Sequence, residues 1–154
     1  MQLYWNTWPP GHQGPVIDYI AACPNNNCTT ADKSALKFAK LREVGLLRGP
    51  SPGYWGEDDL VKNNNSWVIT IPSSLKAGAY VLRHEMIALH GARSDNGAQN
   101  YPQCVSVMVS GGGSKVPGGA SPTTFYKRTD PGVLIDIYNN LKNYTVPGPA
   151  VQVF

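Results

Sequence analysis

The sequence predicts an all-β fold, an antiparallel sandwich with one short helix and long loops, on three observations. Six runs are rich in β-branched and aromatic residues, the composition that fits a pleated, half-buried surface. The 154 residues include 16 Gly and 13 Pro, and these punctuate most of the gaps between the runs. A single segment shows apolar residues at helical spacing. Several short strands cover one another's apolar faces only in two layers, which is why a sandwich is expected.

In chain order, strands are expected at Gln2 to Trp8 and Val16 to Ala22. The helical segment follows from Asp32 to Leu47, where Leu36, Ala39 (with Phe38 beside it), Leu41 and Val44 recur at roughly helical spacing. Thr30 or Asp32 offers an N-cap and Gly45 a stop. Further strands are expected at Trp67 to Ile71, Ala79 to Leu89, Cys104 to Val109 and Val133 to Tyr138. Gly49 to Gly56, Gly91 to Asn100 and the stretch from Gly111 to Pro122 read as loops within one domain, because strand signals resume after each. No internal repeat is found.

Charged residues make up only 15% of the chain while hydrophobic ones reach 42%, so the signature of disorder is absent. A net charge of +3 without a run of five like charges argues against nucleic acid or a membrane surface as the main partner. No apolar run approaches the roughly 18 residues that span a bilayer. Sequons at Asn27, Asn64 and Asn143, and Cys23 and Cys28 close enough for a local disulfide, point to a secreted protein. Cys104 is then the odd cysteine: a free thiol, an intermolecular bridge, or one whose partner is lost.

The three histidines start as ordinary packed residues. His12 lies in the turn Pro9-Pro10-Gly11-His12-Gln13-Gly14-Pro15, where a side chain can be presented to solvent or metal. His84 and His90 share parity, which puts both on one face of a regular strand. Gln99 and Tyr101 share parity too, so an extended backbone aims amide and phenol to the same side, a candidate small polar site. No nucleophile elbow, phosphate-cradling loop or four-ligand zinc pattern is present. The adjacent acids Glu57, Asp58 and Asp59 read as a solvated turn rather than the two facing carboxylates of a hydrolytic cellulase.

Several motifs together carry a resemblance: Trp5-x-x-Trp8-Pro9, His12-Gln13-Gly14-Pro15-Val16, the run from Tyr80 to His90, Gly97 through Cys104, and Thr129-Asp130-Pro131-Gly132 through Tyr138. In this order they resemble the fungal lytic polysaccharide monooxygenases of auxiliary activity family nine, formerly glycoside hydrolase family 61, over about Leu3 to Pro149. The resemblance implies an immunoglobulin-like or fibronectin-like sandwich and one copper ion. It implies oxidation of cellulose or a related β-glucan at C1 and/or C4, an external electron donor, and an extracellular location. His12 would supply an equatorial imidazole nitrogen and Tyr101 the axial oxygen, donors that suit Cu(II). His90 and Gln99 would support the oxygen species by hydrogen bonds, and Tyr138 would stack on a sugar ring.

In the family the mature chain opens on a histidine that gives copper both its amine and its imidazole, whereas this sequence opens on Met1 inside the family pattern. The family counterpart of Cys104 pairs with a cysteine further upstream. The resemblance therefore implies an N-terminally truncated member, natural or a gene-model fragment, that lacks its N-terminal strands and has weak or no copper binding and impaired oxidation. The alternative function is a non-catalytic cellulose- or β-glucan-binding protein that uses Tyr138 and nearby aromatics as a platform.

Overall fold

The computed structural model describes residues Met1–Phe154 and is built mainly from antiparallel strands. Strands β1 (Gln2–Tyr4), β2 (Val16–Ala22), β3 (Ala39–Val44), β4 (Leu46–Arg48) and β5 (Tyr54–Trp55) precede one helix, α1 (Gly56–Lys62). Strands β6 (Ser66–Val68), β7 (Gly78–Ala88) and β8 (Gln99–Val109) follow it. The principal sheet runs β3-β2-β7-β8, and two small sheets pair β1 with β6 and β4 with β5.

The β2 side chains show why this arrangement is stable. Ile17, Tyr19 and Ala21 face one way and join Val81, Ile87, Phe38, Trp55, Phe125 and Ile137 in one apolar cluster. Val16 faces the other way, where Met86 and Ala88 meet Trp8, Trp67, Ile69 and Leu60 beneath the β1/β6 ribbon and α1. Strand β2 is thus covered on both faces, and it reads as a near-continuous apolar run for that reason. Its one carboxylate, Asp18, is fully buried and held by Trp67 Nε1 at 2.8 Å and His84 Nδ1 at 2.7 Å. The Cys23–Cys28 disulfide is formed, and Cys104 is free and exposed on β8, the outer strand of the sheet. No helix is long and apolar enough to cross a membrane.

Four sequence expectations are corrected. The segment from Asp32 to Leu47 is not a helix: it supplies β3 and β4, with Leu36 and Phe38 buried ahead of them. Pairing of β3 with β2 and a register shift at Asp18/Tyr19 override the apparent helical spacing, since a long-range ladder satisfies the backbone that local periodicity assigned to a helix. The helix is instead α1, which covers the supposed solvated turn. Its three acids occupy the first turn, where the helix dipole favours them, and Asp58 accepts a hydrogen bond from Trp55 N at 2.7 Å. The run from Val133 to Tyr138 forms turns: the amides of Val133 and Leu134 both donate to Asp130 O, and Ile135 N donates to Ala92 O. Finally, β8 begins at Gln99, so the expected loop from Gly91 to Asn100 ends two residues early.

Glu57 is buried in α1, and burial, reinforced by Asp58, pushes its carboxyl up to about 8. A raised carboxyl contributes stability that is full below its unfolded value near 4.5 and is lost as pH rises through about 8. Glu57→Gln should therefore flatten the fall in melting temperature between pH 5 and pH 8. At pH 8 the variant should exceed the parent by about 1–2 kcal/mol, read by thermal unfolding monitored by circular dichroism. Parallel pH profiles for the two proteins would contradict the assignment.

Candidate metal centre

The turn before β2 and the end of β7 are brought together by backbone pairing. Ile87 N donates to Pro15 O at 3.2 Å and Leu89 N to Gln13 O at 2.8 Å, so the His12 turn runs alongside the residues leading to His90. Gly14 permits this approach, because a Cβ there would lie 1.8 Å from the Ile87 carbonyl oxygen. Gly11, at φ +82°, closes the turn, and Trp8 Nε1 donates to His12 O at 3.3 Å.

The imidazoles of His12 and His90 consequently face each other with ring centroids 4.3 Å apart. Strand β8 adds Tyr101, opposite Met86, and Gln99, opposite Ala88. Their shared parity holds: Tyr101 Oη donates to Gln99 Oε1 at 2.7 Å. Between them Asn100 points to the other face and donates to the buried Glu85 at 3.0 Å, which fixes this end of β8. The Tyr101 and His12 rings are 6.4 Å apart, and Trp8 packs edge-on against both, at 5.0 Å from Tyr101 and 5.8 Å from His12.

Two side-chain atoms at this site are buried without a hydrogen-bond partner, His90 Nδ1 and Gln13 Oε1. Burial, then the neighbouring His12, holds the His90 imidazole below its ordinary value, which favours the neutral ring. A neutral imidazole beside a phenol and a second imidazole is a donor set suited to Cu(II), and in that respect the residues fit copper. They do not fill a coordination sphere alone, since no group of three or more His, Cys, Asp or Glu side chains converges anywhere in the chain.

His90 lies two residues beyond the end of β7 at Ala88, while His84 is buried within the strand against Trp5 and Trp67. Trp8, which the sequence reasoning missed, belongs to the site, and its position directly before the Pro9-to-Pro15 turn was the available signal. Tyr138 is half exposed in a turn, its amide donating to Asp136 at 2.9 Å, and its ring takes no part in the contacts that join His12, His90 and Tyr101.

The antiparallel β-fold thus presents two neighbouring imidazoles, a phenol and an amide at one end of its principal sheet. The sequence profile matching residues 1–145 is that of Auxiliary Activity family 9 (formerly GH61), and the chain belongs to this family. It is 52% identical over 151 residues to AA9 family lytic polysaccharide monooxygenase F of Malbranchea cinnamomea, covering 98% of this chain and 62% of that protein. It is 51% identical over 152 residues to lytic polysaccharide monooxygenase A of Thermoascus aurantiacus, covering 98% and 66%. Among solved structures, the extended catalytic domain of H. jecorina LPMO9A superposes with a TM-score of 0.92 at 53% identity, covering 97% of this chain and 60% of that one. The chain thus spans somewhat under two thirds of the length of these relatives.

Proposed function

We propose that the His12 face is the copper site of a secreted lytic polysaccharide monooxygenase acting on cellulose or a related β-glucan. The observation that carries this reading is the convergence of His12, His90 and Tyr101 at the junction of two backbone segments, with Gln99 bonded to Tyr101. His12 would supply an imidazole nitrogen and Tyr101 the phenol oxygen, while His90 and Gln99 would hydrogen-bond the oxygen co-substrate. When bound, copper supplies one-electron chemistry that, with an external electron donor, oxidises a glycosidic carbon. Met1 lies in the β1 region, its amine bonded to Ile69 O at 2.7 Å, so it adds no nitrogen to the site.

With one assigned imidazole and one phenol, the 154-residue chain alone should bind Cu(II) weakly and oxidise cellulose poorly. Calorimetric titration and electron paramagnetic resonance test this directly. Weak binding that His12→Ala abolishes is expected, and restoring binding strength should require additional nitrogen donors. Cu(II) uptake unaffected by His12→Ala would remove His12 from the site.

The half-exposed Tyr138 ring is proposed to stack on a glucose ring, giving affinity without charge. Tyr138→Ala should lower retention on cellulose by about threefold to tenfold, the effect of losing one stacking contact of roughly 1 kcal/mol. Unchanged retention by a folded variant would leave Tyr138 as a surface aromatic with no part in binding.

A further inference from the structure

A groove of about 680 Å³ lies between the β1/β6 ribbon, β3 and the end of α1, and it shares no residue with the His12 face. We propose that it is a second carbohydrate-binding site, selective for sugar chains that carry a carboxylate. At one wall stands the Tyr4 ring, 73% exposed, a large apolar surface left open to solvent on a short strand. Such a ring is suited to lie against the C–H face of a pyranose. Gln2 and Asn63 line the same groove, and their amides offer donors and acceptors for hydroxyl groups.

The groove carries two cations, Arg42 and Lys62, and one carboxylate, Asp59. Arg42 is held by stacking, its guanidinium carbon 4.6 Å over the Trp67 ring, and by one hydrogen bond to Val68 O at 3.3 Å. Trp67 is itself locked by Asp18, so the guanidinium is pre-organised on a rigid support, while its remaining N–H groups make no hydrogen bond within the chain. Lys62 forms no ion pair. The single acid, Asp59, already accepts a hydrogen bond from Tyr54 Oη at 2.8 Å. An aromatic wall with amides recognises a sugar; two cations against the one carboxylate of Asp59 leave the groove net positive and favour a sugar bearing a carboxylate. That carboxylate could be the uronic acid of a substituted hemicellulose or the aldonic acid end of an oxidised glucan.

The site is tested on the unglycosylated 154-residue chain by following backbone amide resonances. The titrants are cellobionic acid, a glucuronic-acid-substituted xylo-oligosaccharide, and neutral cellobiose. At least one acidic sugar should shift resonances around Tyr4, Arg42 and Lys62 and bind about fivefold or more tightly than cellobiose, weakening as salt rises. The acidic sugar that binds identifies the source. Lys62→Gln should weaken acidic binding by about threefold and leave cellobiose unaffected, as expected for loss of one exposed charge contact. Tyr4→Ala should weaken both by about tenfold. Both variants alter exposed side chains, and Cu(II) binding at His12 should be unchanged in each. Equal affinity for acidic and neutral sugars, shifts confined to other surfaces, or no shifts at millimolar concentration would overturn the proposal. Each of these outcomes is independent of the copper reading.

Discussion

Asp18→Ala should destabilise the fold by about 3–5 kcal/mol, the cost of removing one partner from a buried polar cluster. The carboxylate has no exposure to water and joins three elements: its own strand β2, His84 on β7 and Trp67 on β6. Alanine would leave the Trp67 indole N–H and the His84 imidazole N–H facing an apolar cavity, each losing its hydrogen bond without gaining water. The cluster also spans the two layers, so its loss loosens the ribbon of β1 and β6 against the main sheet. Asp18→Asn keeps the shape and one carbonyl oxygen, enough to accept from Trp67, and should cost only about 1–2 kcal/mol. Urea unfolding followed by tryptophan fluorescence separates the two. A loss below about 1 kcal/mol for the alanine variant would show that the cluster contributes little beyond shape.

The same residue shows what could and could not be read from the chain. Strands β2 and β7 were legible to within one residue at each end because their apolar content is high and turns bound them. That Asp18 interrupts an apolar strand was visible; that its partners lie 49 and 66 residues away was not, because nothing local encodes them. The stretch from Leu36 to Val44 shows the opposite failure, a helical spacing produced by a bulged strand whose facing pattern slips at Asp18/Tyr19. In the site, Gln99 and Tyr101 were readable as a pair because both lie on one strand and period two is strict. The pairing of His12 with His90 depends on two segments meeting across the sheet end, which residue parity within one strand does not encode.

That meeting point makes Gly14→Ala the second substitution with a large expected effect. Gly14 has no positive φ, so conformational strain is not the issue; the issue is space. An added methyl would sit 1.8 Å from the Ile87 carbonyl oxygen and 3.0 Å from its carbon, and both are backbone atoms inside the paired region, unable to rotate away. The His12 turn and the end of β7 would have to separate, breaking the Leu89 N to Gln13 O bond that holds the two imidazoles 4.3 Å apart. A cost of about 3 kcal/mol is expected, at the upper end for overpacking. Cu(II) affinity should drop together with stability, since displacement of a ligand's supporting contacts typically costs about tenfold or more. Gly11→Ala is the informative contrast. Nothing lies within 4 Å of its Cβ, but its φ of +82° is unfavourable for alanine, so it should lose only about 1 kcal/mol while His90 stays beside His12. Equal destabilisation by the two substitutions, or a folded Gly14→Ala chain that keeps its copper affinity, would show that close approach at Gly14 does not set the histidine spacing.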